Sequence, residues 1–471
     1  MAVFSALRSI NTAQSFEDVF KAKDITSPEM LRAIMTWFSL YFDDKTDDKQ
    51  DGAQRIPYII IDGLGKAVFS EYGYSIDEGK LNGKQIKATL DNLDNVRNKA
   101  FQWAGIGGEI LLKPVMKRGN FVFLVINRSN MVVLARDSEG NITDLATCEI
   151  TVKSEESKSV YYQLLERRTV DNQGKCTVEN RLYKSDNVND IGSSVPLGSI
   201  SEYADLQPTF CFPLALDGTG LISVKMPTVN CVDGSQDGVS IYAAAVKEIL
   251  KLYDHETRSQ DEYDLTAPHL VASIDVQRRD KNGRLIEIPK YITPLLDEDP
   301  TEAGLQIWNP KPNQSELEAR DDQIKRAIEN IIGLRRGFLS KSDVQEFTAT
   351  EILSTTTKMA HLIKDLQMMW ESVLPETVRV CSLLAQMYNL IGWTAADPPE
   401  VVIEWGDGIL YDEEKEFTRL NLMTAQGKLK DEYLLGWYYD MPTDTPEDLQ
   451  AIREKYMPEN SGEVGADNDK V

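Results

Sequence analysis

Residues 347–374 read FTATEILSTTTKMAHLIKDLQMMWESVL. From Ile352 the seam positions fall alternately four and three residues apart. They run through Thr356, Met359, Ile363, Leu366, Trp370 and Val373 to Thr377, Val380, Leu384, Met387 and Ile391. Such spacing returns a side chain to one face every turn, so it predicts a single long helix over 348–392. Pro375 is expected to kink it, because the ring removes a backbone donor and crowds the preceding turn, and Gly392 is the expected stop. A core helix explains the seam but not the hydroxyl-rich opening: Thr348, Thr350, Ser354, Thr355 and Thr356. Small side chains there would let another backbone approach closely, and their hydroxyls could bond to the helix's own carbonyls.

Working upstream, FLSKSDVQE is a short connector, reached from a helix with the capping-box pattern Ser315 to Glu318. It runs through Leu317, Ile324, Ile328 and Ile331 to Arg335 and Arg336, which suit its last turn, and Gly337 can end it. Before it, LVASIDVQRRDKNGRLIEIPKYI reads as two strands joined at Asn282-Gly283. Its tip is basic, with Arg278, Arg279, Lys281 and Arg284. A further helix is expected from near Asp237, with Val239, Tyr242, Val246, Ile249 and Tyr253 as its stripe. From Phe101 to Phe212 short alternating runs (FVFLVI, MVVLARDSEGNITDLATCEITV, YYQLLERRTVDNQGKCTVENRLYKS) predict antiparallel strands turning at Gly140 and Gly174. The first hundred residues read as helical, with Ser27 as a cap and Pro28 in a first turn. Beyond the strand EVVIEW, short helices are expected from about Asp412 to Gly427, from Lys430 to Tyr439, and after a Thr445 cap. The tail ENSGEVGADNDKV is too polar to order itself.

Composition narrows the chemistry. Of 471 residues, 42% are apolar and 27% charged, which suits globular domains, and no apolar run reaches membrane-spanning length. The N-terminus lacks the sustained apolar stretch of a secretory signal. Five scattered cysteines form no CxxC or Cys/His spacing and are expected to be reduced, buried thiols. Three histidines, with no HExxH or HxH pattern, give little material for a zinc site or a Ser-His-Asp triad. GLGKA at 63–67 and GIGGE at 105–109 lack the spacing of phosphate-binding loops, and the loop DDKTDDKQDG puts Lys49 and Tyr58 where a calcium loop needs acidic ligands. No catalytic, cofactor-binding or metal-binding residues are assigned. A net charge of −24 argues against tight general DNA binding, which needs clustered cations to release counterions.

TATEILSTTTKMAHLIKDLQ resembles the signature of portal proteins of long-tailed double-stranded DNA phages, where a TATE segment opens the long helix after the tunnel loop. IGLRRGFLS resembles that family's helix end, and VVIEWGDGILYDEEKEFTRLNLMTAQGKL its acidic strand-turn-helix. YYQLLERR with VENRLYKS resembles its wing strands, and EILLKP a strand that precedes them. The likeness spans most of Phe101 to Met457. One departure is plain: related portals often carry a longer Gly-rich loop with a Lys just before TATE, whereas here Glu346-Phe347 stands there and Lys341 lies earlier.

The resemblance implies an α+β portal fold in a ring oligomer of about twelve copies around a central channel, and no enzymatic activity or cofactor. Residues 1–104 would form the helical part of the wing and 105–236 its β-rich part. The stem helices would be 237–260 and 314–337, with the clip and its hairpin at 261–313. The tunnel loop would be 338–347, the long kinked helix 348–392, the crown 393–457, and a disordered acidic tail 458–471. Implied partners are DNA sliding loosely through the channel, the terminase large subunit, the head-tail adaptor, and the major capsid and scaffolding proteins, with no membrane. The implied location is the portal vertex of the virion, after synthesis in the host cytoplasm. Arg335, Arg336, Ser340, Lys341 and Ser342 would lie near DNA. Thr348, Thr350, Ser354, Thr355 and Thr356 would pack the tunnel helix, and Arg278, Arg279, Lys281 and Arg284 would dock the clip's partner. Arg335 and Arg336 have two readings, helix-end electrostatics with inter-subunit ion pairs or contact with DNA; the basic tip is a solvated turn or a docking surface. Twelve copies would carry roughly −290 charges, which keeps most of the assembly from gripping phosphates. Two other classes are a minor capsid protein and a packaging ATPase; the sequence has no GxxxxGK[ST] segment for the latter.

Overall fold

A computed structural model describes residues 16–42, 55–155, 158–266, 269–273, 292–295, 305–308, 313–341, 349–390, 392–394, 399–405, 413–439, 441–443 and 445–457. Helix accounts for 48% and strand for 22%, so the chain is α+β, as expected. No described helix is long and apolar enough to cross a membrane. The chain divides into two units, 1–405 and 406–471.

The first unit opens with α1 (Pro28–Phe42), α2 (Ile56–Val68) and, after the short strand β1 (Gly73–Ile76), α3 (Gly83–Gly107). Ser27 Oγ accepts from Met30 N at 3.1 Å, the cap read from the sequence, and Met30, Ile34 and Trp37 are buried. GLGKA lies inside α2 and is no phosphate loop. Its glycines make room for aromatic rings, Phe338 over Gly63 and Phe101 over Gly65. GIGGE ends α3 for a related reason. Gly108, at φ +82°, lies so close to Gly238 that a Cβ would stand 2.3 Å from the Gly238 carbonyl carbon.

Strands β2 (Glu109–Lys117) and β3 (Asn120–Ile126) form a hairpin extended on the β2 side by β10 (Ile222–Lys225). Between them in sequence come β4 (Met131–Arg136), β5 (Ile142–Glu155), β6 (Lys158–Val170), β7 (Cys176–Ser185), β8 (Ser193–Val195) and β9 (Thr209–Cys211). These pair antiparallel in the order β4-β5-β6-β7-β8, with β9 also on β7. The β4–β5 and β6–β7 turns share one device. Asp137 Oδ1 accepts from the amides of Glu139 and Asn141, Asp171 Oδ1 from those of Gln173 and Lys175, and Gly140 and Gly174 supply the positive φ. Alternation along β4 sends Val132 and Leu134 to one apolar cluster, with Phe16 and Phe20, and Met131 and Val133 to another.

A charged network ties this region together. Lys113 Nζ lies 2.5 Å from Glu149 and 2.7 Å from Glu166; Glu166 also accepts from Arg168 Nε at 2.7 Å. Burial pushes the Glu166 carboxyl up, but the Arg168 and Lys113 charges overcome this and hold it at about 2. Arg136 bridges Glu109 and Asp237, joining β2 and β4 to the segment that leads out of the sheets.

That segment is not helical from Asp237, as its stripe predicted. The helix α4 (Val246–Thr266) begins later, after a 3₁₀ turn at Ala243–Ala245. The physical reason is competition for donors and acceptors. Ser240 Oγ and Ile241 N both donate to Gly105 O, at 2.8 and 3.1 Å, so 238–241 pack against the end of α3 instead of coiling. The stripe survives this: Val239, Tyr242 and Ile249 are buried, and Tyr242 Oη donates to Trp37 O at 2.8 Å.

After α4 come β11 (His269–Ser273), β12 (Ile292–Leu295) and β13 (Leu305–Trp308), in the order β12-β11-β13. Strand β11 pairs parallel with β12 and antiparallel with β13. The second strand expected of the Asn282-Gly283 hairpin, 284–292, falls almost wholly outside the described residues. Residues 274–291, which hold that turn, lie outside the described residues.

Helix α5 (Gln314–Ile332) follows, then α6 (Ala349–Met387) and β14 (Val401–Glu404), which pairs antiparallel with β1. The α6 seam is buried from Ile363 through Leu366, Trp370, Val373, Thr377 and Val380 to Leu384, and the helix continues through Pro375. Its end comes before Gly392. Asn389 takes positive φ, and Leu390 N reaches back to Ala385 O at 3.0 Å.

The second unit contains α7 (Glu413–Ala425), α8 (Asp431–Tyr438) and α9 (Pro446–Tyr456). Thr445 and Asp448 form the capping box of α9, Arg453 pairs with Glu432, and Tyr439 stacks on Tyr456 at 4.0 Å. The acidic tail lies outside the described residues.

Candidate functional site

Helices α4 and α5 are two rods of about 30 Å, at ~1.5 Å per residue. They run antiparallel. Asn313 N donates to Glu262 Oε1 at 3.1 Å, near the end of α4 and the start of α5, and one stage further His255 Nε2 meets Leu317 O at 2.9 Å. Ile249 and Leu252 on one rod, with Ile324 and Ile328 on the other, are buried in the same apolar cluster. The remaining faces are charged: α4 carries six acidic and three basic side chains, and α5, apart from the buried Glu329, four and three. Such a pair repels phosphates on balance while keeping cations for local pairing.

The start of α5 differs from expectation. Asn313 is the N-cap without a side-chain bond, Ser315 is exposed, and no capping box forms there. Glu318 instead accepts from Gln314 Nε2 at 2.9 Å and pairs with Lys341 Nζ at 2.6 Å. Hydrogen bonding from Lys341 holds its carboxyl below the usual range. The end of α5 differs too. Gly333, at φ +91°, closes the helix, with its own amide and that of Leu334 both donating to Glu329 O at 2.9 Å. Burial of Leu334 favours this earlier turn. Arg335 and Arg336 therefore stand in the connector and not in a last helical turn; Arg335 is exposed.

Residues 337–341 fold back on α5. Glu329, 1% exposed, accepts from Leu339 N at 2.6 Å, Ser340 N at 2.8 Å and Ser340 Oγ at 2.9 Å. Lys341 N donates to Asp322 Oδ1 at 2.8 Å. Sequence reasoning placed Ser340 and Lys341 in a tunnel loop near DNA; the structure brings both onto α5, with Ser340 buried. Glu318, Asp322 and Glu329 were missed as their partners. The available signal was a Glu beside Ile328 on an otherwise apolar face, a position where an unpaired carboxylate would be costly.

Ser342 and Thr348 lie outside the described residues, as do Arg278, Arg279, Lys281 and Arg284. Thr350, Ser354, Thr355 and Thr356 fall within the first turns of α6, but the packing expected of their side chains lies outside the described residues.

One cavity brings together the residue types of a hydrolytic triad without its geometry. His255, Ser259 and Asp321 line one cavity of about 220 Å³, the residue types of a triad. Yet Ser259 Oγ donates to the His255 main-chain oxygen at 2.9 Å, the imidazole bonds to Leu317 O, and Asp321 pairs with Lys325. Among the described residues no group of three or more His, Cys, Asp or Glu side chains could hold a metal. Cys148, Cys176 and Cys381 are buried thiols as expected, and burial pushes Cys176 up to about 11; Cys211 and Cys231 are exposed, against expectation. In comparisons with known proteins, no family model and no curated protein matches the chain.

Proposed function

We propose that the chain is the protomer of a phage portal, a ring at one capsid vertex through which genomic double-stranded DNA enters under terminase action and later leaves. Support comes chiefly from one observation. Two antiparallel helices, α4 and α5, bury one face against each other and carry charge on the rest, and the chain between them makes a small separate sheet. In a ring they would be the stem, the β11–β13 insertion the clip, the sheets β2–β10 the wing, and the second unit the crown. The TATE-like opening of a 39-residue helix, α6, supports the same order.

The acidity follows from the task. A conduit must let DNA slide, and six to ten phosphate contacts would give affinities that fall by roughly 10³–10⁵ over a modest rise in salt, too firm a grip at low salt for passage. An excess of acidic side chains on the stem avoids that grip. The clip would meet the terminase large subunit and then the head-tail adaptor, the wing the major capsid and scaffolding proteins, and no catalytic step falls to this chain. The mass of the purified protein tests the proposal. Twelve copies of a 53.0 kDa chain give about 640 kDa by light scattering or mass photometry. A chain that stays monomeric at micromolar concentration counts against it.

A further inference from the structure

We propose that Glu329 is a positioning residue. With a notch at Gly63, it clamps the chain leaving α5 and so fixes the point from which the connection toward α6 departs. Two independent contacts carry this inference. On one side, both oxygens of the buried Glu329 carboxylate are occupied by donors from Leu339 and Ser340. A buried carboxylate persists only with such donors, and charge-assisted bonds of this kind are the strong ones. On the other side, the Phe338 ring lies over Gly63 of α2, where even a methyl group would come 2.4 Å from Cζ.

Backbone geometry makes the clamp possible. Positive φ at Gly333 and Gly337 turns the chain back so that the amides of 339 and 340 face the helix they have just left. Ser340 serves twice, since its hydroxyl oxygen also accepts from Gly337 N at 3.2 Å. Lys341 completes the hold through Asp322 and Glu318. The segment expected to be one loop from 338 to 347 therefore begins with four residues fixed to two helices. In a portal ring, which is the reading given above, such anchors would set the radius at which the following segment starts.

Hydrogen exchange of the full-length chain, read by mass spectrometry at Leu339 and Ser340, tests the clamp. Glu329→Ala should speed exchange at these two amides roughly tenfold or more and leave the Ile324–Ile328 stretch unchanged. Glu329→Gln should stay within about threefold of wild type, because its Oε1 still accepts both amides and its NH₂ can donate to Ser340 Oγ. If Glu329→Ala does not fold, Ser340→Ala removes one of the three bonds and should still accelerate the same amides about threefold. Unchanged exchange at 339–340 would overturn the inference, and so would equal acceleration throughout α4 and α5. The measurement reads the clamp in any oligomeric state, so clamp and ring stand or fall separately.

Discussion

Replacing Gly63 by Ala opposes two effects of known sign. Within an α-helix, Gly→Ala gains about 1 kcal/mol from backbone entropy and helix propensity. At this position the new Cβ would stand 2.4 Å from Phe338 Cζ and 3.1 Å from its Cε2, so the ring must withdraw and surrender packing. Overpacking of this kind costs typically 1–3 kcal/mol. With a middle value of about 2, Gly63→Ala should destabilise by about 1 kcal/mol. In a Phe338→Ala background the obstruction is gone, and the same change should stabilise by about 1 kcal/mol. The coupling between the two sites is then about 2 kcal/mol, well beyond the few tenths expected of independent positions. Urea unfolding of the four proteins, followed by tryptophan fluorescence, supplies the cycle, provided the slopes agree. Equal stabilisation by Gly63→Ala in both backgrounds would refute the packing of the connector against α2.

Acid unfolding should show the Glu166 network. Its carboxyl sits lower folded than unfolded, so its stabilisation is complete above about pH 4.5 and lost as pH falls toward about 2; Glu166→Gln should flatten that part of the stability curve. Gly108→Ala meets both a positive φ and the Gly238 backbone and should cost ~3 kcal/mol or more, read as loss of soluble protein. Under the portal proposal, with the opening of α6 closely approached in the ring, Thr350→Leu should impair ring assembly, checked by the fraction of protein in the large species on size exclusion; an unchanged fraction would deny the close approach. If the basic tip is a docking surface, as the portal proposal has it, serine at Arg278, Arg279, Lys281 and Arg284 together should weaken capture of an acidic motor or adaptor partner several-fold in a pull-down, most clearly at low salt, whereas a solvated turn would leave it unchanged.

Local chemistry was the legible part of the fold. The turns at Gly140 and Gly174, the Ser27 and Thr445 caps and the α6 seam from Ile363 to Leu384 each rest on residues adjacent in sequence or a turn apart, and these formed as read. What failed depended on distant partners. Asp237 to Tyr242 has a good helical stripe, but Gly105 O and the Gly108 backbone, far back in the chain, claim it first. Glu318 has the spacing of a capping box, but Lys341 takes its carboxylate. Helix α5 stops at Gly333 and not Gly337 because Leu334 finds a buried place once the chain turns. The candidate site was legible in its helices but not in its clamp. Nothing in the spacing of Glu329, Ser340 and Gly63 links them until the connector folds back onto α5 and lays Phe338 over Gly63.

Images of the purified full-length protein in negative stain bear most directly on the portal assignment. End-on views should show rings of about twelve subunits around a hole wide enough for a DNA duplex. Compact particles of one or two chains with no aperture, at concentrations where the protein is folded and soluble, would contradict it.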